Sequence, residues 1–278
     1  MRWQGRRKSQ NVEDRRRLPV GKKSFSIGAL ILAAIMAFVA KDPGIFLGSL
    51  TQQVGQASTS VPQISDSDNN EAAEFSRVIL ANLEDTWNAI FAQAKLPYNN
   101  PVLVLYSGQV RSACGFSTAA SGPFYCPADQ KIYLDLSFLA ELQRMGAPGD
   151  FAFAYVIAHE YGHHISNLIG TLPKVNKARR HLSEIEGNKL SVLLELQADC
   201  FAGVWANYAN KKYRMLEPGD IQEGLQAAAS VGDDVIIGNR PDKFTHGSSR
   251  QRMQWLQAGM QSGNVGVCDT FAHAGMRF

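Results

Sequence analysis

The chain has 278 residues, 45% hydrophobic and 19% charged, with no repeat of fixed period, which is a globular composition sized for one large domain or two small ones. Its formal net charge of +3 is unevenly placed: residues 1 to 24 hold 9 of the 28 Lys and Arg but 2 of the 25 acids, leaving 19 basic against 23 acidic residues elsewhere. This distribution argues against a polybasic nucleic-acid-binding domain, and no nucleic-acid partner is expected.

Next comes FSIGALILAAIMAFVA, residues 25–40, apolar and uncharged. As a helix it would span about 24 Å, the short end for a bilayer, and the Arg and Lys ahead of it fit the positive-inside rule. The expectation is a basic cytoplasmic tail (1–24) and a single uncleaved transmembrane helix (25–40), with the body outside a bacterial inner membrane. A buried helix of the soluble body and a signal-peptide core are the alternatives. Residues 41–70 are rich in Ser, Gln, Gly and Asp and read as a linker.

Order is expected from residue 71. Phe75, Val78, Ile79, Leu83, Trp87, Ile90 and Phe91 recur at helical spacing, PVLVLYSG (101–108) reads as a strand, and 124–136 as two short extended segments about a Pro-Ala-Asp turn. Residues 137–146, 150–170 and 188–213 carry apolar residues three and four apart and predict helices. The fold class is α+β, mainly helical with a small sheet, in one domain over 71–278. Four cysteines allow three pairings. The expected one is Cys114 with Cys126 and Cys200 with Cys268, as suits a body in an oxidising compartment; four reduced thiols remain an alternative, and the absence of any CxxC pair weighs against a four-cysteine zinc site.

HEYGHH, residues 159–164, carries the chemistry. His159 and His163, four apart on a helix, can aim at one point, while Glu160, about 100° round, sits beside it. This is the spacing of a zinc site with a general base next to its water. The preceding FAFAYVIA is almost wholly apolar, and two buried histidines and a glutamate without partners would be costly. A catalytic zinc needs a third protein ligand, and ELQAD (195–199) offers one from another apolar helix. Glu195 is the expected ligand, and Asp199, one turn on, the acceptor for the second ring proton of His159. Small Ala198 and Gly203 would let the two helices approach closely. His246, just ahead of a helix capped by Ser248 or Ser249, is the candidate for steadying the oxyanion, with Arg252 supporting it or binding the substrate carbonyl. Tyr155 and Tyr161 could serve equally, and His164, His181 and His273 have no assigned role.

MRWQGRRKSQNVEDRR, CGFSTAASGPFYCPADQKIYLDLSF, HEYGHHI, ELQADCFAGVW, the GDD of 232–234, FTHGSS and CDTFAHAG together resemble the neutral zinc metallopeptidase family of bacteria, the YpfJ-like proteins. The likeness runs nearly end to end apart from the linker. It implies a membrane-anchored zinc metallopeptidase with His159, Glu160 and His163 in the motif. More widely the chain is similar to gluzincin peptidases, which pair HExxH with a later ExxxD. The membrane-associated heat-shock and prenyl-protein peptidases among them add a Thr-His-Pro and an arginine six residues past its histidine. Here Gly247 replaces the proline and Arg252 keeps the offset. Those peptidases have several membrane spans, so their intramembrane cleavage is not carried over.

The expectation is a gluzincin-like peptidase holding one Zn²⁺ per chain on His159, His163 and Glu195, with Glu160 activating water against a peptide or unfolded protein. The extended segments at 102–106 or 124–134 could present an edge to which substrate adds as a strand. The rival is a non-catalytic envelope scaffold braced by zinc. Glu160 separates the two, since a structural site has no use for a base beside the metal. The natural substrate, the choice between endo- and exopeptidase action, and the oligomeric state stay open.

Overall fold

VLVLY and KIYLD, apolar along almost their whole length, lie side by side in the middle of a sheet and are buried on both faces, as continuous apolar strands must be. The computed structural model describes residues 1–16 and 66–276. Its strands are β1 (Val12–Asp14), β2 (Val102–Tyr106), β3 (Gln109–Ser112), β4 (Gly115–Thr118), β5 (Phe124–Cys126) and β6 (Lys131–Asp135). Four form one sheet in the order β1-β2-β6-β5, with β1, β2 and β6 parallel and β5 antiparallel. The β3–β4 hairpin is separate, turns at Ala113-Cys114, and is tied to β5 by a disulfide from Cys114 to Cys126.

The helices are α1 (Asp66–Ala94), α2 (Phe138–Arg144), α3 (Asp150–Leu168), α4 (Thr171–Arg179), α5 (Glu184–Tyr213), α6 (Asp220–Ser230), α7 (Asp233–Ile236), α8 (Ser249–Ser262) and α9 (Thr270–His273). The α+β expectation holds, mainly helical with a small sheet. Helix α1 starts at Asp66, inside the expected linker, and α4 and α6 were not foreseen. Helix α5 starts at Glu184 because Ser183 and Glu186 form a reciprocal capping box, four residues ahead of its apolar stretch. The second disulfide, Cys200 to Cys268, is buried and fastens the C-terminal segment to α5.

Two glycine crossings set the helix positions. A Cβ on Gly162 of α3 would stand 2.8 Å from the Ala198 carbonyl oxygen and 2.9 Å from its Cα, so the motif helix and α5 touch backbone to backbone. Gly203 is not part of that crossing, contrary to expectation. It faces α8, where a Cβ would stand 2.1 Å from the Leu256 carbonyl, and Gly259 of α8 faces Cys200 with the same closeness. Ala198 therefore brings α5 to α3, and Gly203 brings α8 to α5.

The N-terminal segment needs a larger correction. Residues 1–16 belong to the same compact unit as the helices, so the boundary of a tail at residue 24 does not describe them. Strand β1 pairs with β2 in the register Val12 to Leu103, and Met1 and Trp3 enter the core. Trp3 meets Phe75 of α1 edge to face at 5.3 Å, and Phe75 stacks at 6.0 Å on Phe153 of the motif helix. The positive charges are paired rather than free: Arg7 with Glu84 and Asp85, Lys8 with Glu74, and Arg2 with Glu217. Their carboxylate partners lie far off in sequence, so the charge count could not reveal the pairing. β2 is consequently interior, between β1 and β6, and of the two expected substrate edges only β5 is an edge. The apolar run 25–40 lies outside the described residues. Among the described residues no helix is long and apolar enough to cross a membrane.

Trp3→Ala is expected to cost about 3–5 kcal/mol, as a large buried aromatic does, read as a lower urea midpoint at unchanged slope. A midpoint equal to that of the parent protein would mean the segment is not packed as described. Gly162→Ala is expected to cost about 1–3 kcal/mol by forcing α3 and α5 apart, and to weaken metal binding in parallel when both are titrated on one preparation.

Candidate metal centre

Helix α3 is buried along nearly its whole length, so its polar motif residues must find partners inside the protein. The crossing at Gly162 and Ala198 supplies them from α5. His159 Nε2 lies 3.1 Å from Glu195 Oε2, and His163 Nε2 lies 3.3 Å from Glu195 Oε1. Thus the two rings converge on both oxygens of one carboxylate, and the three candidate donor atoms all lie within 4.8 Å of one another. Two imidazole nitrogens and one carboxylate oxygen are the donor set of a catalytic zinc site with a position left open. His159, His163 and Glu195 could therefore hold a metal.

Asp199, fully buried, organises the far side of His159. Its Oδ1 is 2.7 Å from His159 Nδ1 and accepts from the Tyr155 hydroxyl at 2.6 Å. Arg252 of α8 donates to both of its oxygens, Nε to Oδ2 at 2.9 Å and Nη2 to Oδ1 at 3.0 Å. Burial by itself would raise the Asp199 pKa, but Arg252 and His159 outweigh it and hold the carboxyl at about 2. An ionised carboxylate can only accept, so His159 Nδ1 carries a proton and Nε2 is the nitrogen turned to the ligand site. Burial acts the other way on an imidazole and would lower the His159 pKa, yet Asp199 and Glu195 raise it to about 10. Glu195, against the same burial, is held well below its ordinary value by His163 and His159. The carboxylates that raise the one and the imidazoles that lower the other mark a pocket whose field favours a cation.

Glu160 is 8% exposed, and its carboxylate has no hydrogen-bond donor among the described residues. It is therefore uncommitted to any neighbour among the described residues. Tyr155 and Tyr161 are not available as oxyanion donors. The first is committed to Asp199, and the second is paired with Tyr98. His164, pointing away from the metal face, sits wholly buried between Tyr125 Oη at 3.0 Å and the Asn99 carbonyl at 2.8 Å, and burial pushes its pKa down to about 4. It braces α3 against β5 and the loop before β2.

Arg252 does not reach toward substrate, contrary to the second of its expected roles. It is 4% exposed and committed to Asp199, Tyr155 and the Val231 carbonyl, with no bond to His246. His246 lies on the loop ahead of α8, its side chain half exposed, with Nδ1 3.2 Å from Asp233 Oδ1. The other Asp233 oxygen accepts the backbone N–H groups of Thr245, His246 and Gly247 at 2.6 to 3.0 Å. Gly247 has φ +92° and packs against Val192 and Leu196, which flank Glu195. Proline, fixed near φ −65° and lacking an N–H, could neither take that backbone conformation nor donate to Asp233, so glycine here builds a different loop, which meets α5 at Gly247. Asp233 was missed as a site residue. Its only signal in sequence was the GDD string, and nothing local to that string indicates a histidine thirteen residues on.

Comparison with known proteins agrees with this geometry. The chain is 45% identical over 291 aligned positions to the "Uncharacterized protein YpfJ" of Escherichia coli K12, covering 98% of this chain and 99% of that protein. It is 40% identical over 253 positions to the "Uncharacterized protein Rv2575" of Mycobacterium tuberculosis, covering 84% of each, and equally similar to the "Uncharacterized protein Mb2605" of Mycobacterium bovis. No solved structure matches. The family model described as "Putative neutral zinc metallopeptidase" matches residues 1–271, so the N-terminal segment 1–16, the sheet and the candidate metal site fall within one match, and the chain belongs to that family.

Proposed function

We propose that the protein is a zinc-dependent peptidase of the gluzincin type, holding one Zn²⁺ on His159, His163 and Glu195 and using Glu160 as general base. The observation that carries this reading is the convergence of both histidine Nε2 atoms on the two oxygens of Glu195, with an unpaired carboxylate at Glu160 next to them. The bound metal would supply a Lewis acid for a peptide carbonyl and lower the pKa of a water.

The remaining chemistry belongs to the chain. Glu160 accepts the proton of the attacking water and returns it to the leaving amine. Asp199 holds His159 with Nε2 directed at the ligand site, and Arg252 keeps Asp199 ionised in a buried place where it would otherwise take up a proton. His246, with Nδ1 3.2 Å from Asp233 Oδ1, makes no hydrogen bond through Nε2 among the described residues and is the group assigned to the oxygen that gains charge. An unfolded protein or peptide is the substrate class, and β5, the sheet edge joined to α3 through Tyr125 and His164, is the strand on which an extended substrate would lie. The apolar run 25–40 is the proposed contact with a bacterial membrane.

Glu160→Gln is expected to retain one zinc per chain and lose at least about 100-fold in cleavage of an unfolded protein; equal loss of zinc and activity would return Glu160 to the metal shell, and full activity would remove it from the chemistry. His246→Ala is expected to lower kcat about 100-fold with KM and zinc content little changed, and Asp233→Asn to follow it in the same direction. Because Asp199 and Glu195 raise the His159 pKa to about 10, zinc uptake there should release a proton, measured as a dependence of binding heat on buffer ionisation enthalpy. Uptake without proton release would contradict ligation through His159.

A further inference from the structure

The apolar run 25–40 joins two stretches of chain that fold together. Ahead of it, residues 1–16 form an arm, and after it residues 66–276 form the helices and the rest of the sheet. The arm is built into the interior. Strand β1 supplies one edge of the sheet, Trp3 closes on Phe75, and the backbone N–H groups of Arg2 and Ser9 donate to the carbonyls of Met215 and Arg77. Glu84 of α1 is 3% exposed, and it is matched entirely by the arm: Ser9 Oγ at 2.5 Å and Asn11 Nδ2 at 2.7 Å donate to one oxygen, and Arg7 Nη2 at 3.1 Å to the other. Removing the arm would leave a buried carboxylate and an open strand edge without partners, both of which are costly.

The same contacts account for three of the basic residues ahead of the apolar run. Arg2, Arg7 and Lys8 each face a carboxylate beyond that run, Glu217, Glu84 with Asp85, and Glu74, while Arg17, Lys22 and Lys23 lie outside the described residues. The unit also carries two disulfides, Cys114–Cys126 and the buried Cys200–Cys268, which form and persist in oxidising compartments.

From these observations we infer that residues 1–16 and 66–276 lie on the same side of any membrane the intervening chain enters, and that this is the oxidising, extracytoplasmic side. A single crossing with the arm in the cytoplasm and the metal centre outside would pull β1 from β2 and Trp3 from Phe75. The inference concerns the arm and the disulfides, and it stands independently of whether the metal centre cleaves peptides.

The test uses the full chain in living cells. Both disulfides together consume every cysteine, so an introduced thiol is the only one open to a maleimide. Gln10→Cys on the arm and Lys177→Cys on α4 replace exposed residues, and each variant is treated with a membrane-impermeant maleimide before and after the cytoplasmic membrane is permeabilised. Both thiols are expected to label to completion beforehand, with no gain afterwards. Gln10→Cys labelled only after permeabilisation, with Lys177→Cys labelled before it, would overturn the inference. Both labelled only afterwards would overturn the assignment to the oxidising side.

Discussion

The carboxylate of Asp199 is the constraint on which the candidate metal site depends. Fully buried, it receives His159 from α3, Arg252 from α8 and the Tyr155 hydroxyl, and so joins three helices at one point. A lone charge there would be far too costly to keep, whereas a carboxylate matched by a guanidinium and an imidazole can remain ionised. The match works only if the helices approach to within backbone contact, which the glycines permit. Gly162 lets α5 close on α3, and the Gly203–Gly259 pair lets α8 close on α5, so small residues and the buried charge network are two aspects of one design.

This arrangement explains the division of labour among the polar groups near the site. Groups that orient are buried and fully bonded: Asp199, Arg252, Tyr155 and, on the opposite side of α3, His164. The groups proposed for the chemistry keep an unused atom, namely Glu160 and the Nε2 of His246. Buried, fully bonded groups lock the geometry, and an unbonded one is left able to exchange a proton. Asp233 is the counterpart of Asp199 on the loop side, since one carboxylate there gathers three backbone amides and a histidine and gives a short connection a defined shape.

The arm of residues 1–16 extends the same economy to the back of the motif helix. Through Trp3, Phe75 and Phe153, an aromatic series runs from the first residues of the chain to the helix that carries His159. The site is therefore supported by chain from both sides of the apolar run, and the sheet is complete only with β1 in place.

What could be read from sequence was whatever depends on a short spacing. His159 and His163 are four apart, Glu195 and Asp199 are four apart, and a helix turns each pair to one side whatever surrounds it; the same periodicity marked α1, α3 and α5 and the general α+β class. Cys114 with Cys126 and Cys200 with Cys268 also pair as expected. The rest required three-dimensional contact between distant residues. Arg252 could be recognised by its offset from His246, but its commitment to Asp199 depends on how α8 crosses α5. Asp233 and His246 meet because of a loop, and the arm's charges read as a tail because their partners Glu74, Glu84 and Glu217 lie tens to hundreds of residues away. Local spacing is decided by the geometry of a single helix, whereas partner choice among distant charges is decided only when burial forces each one to be matched.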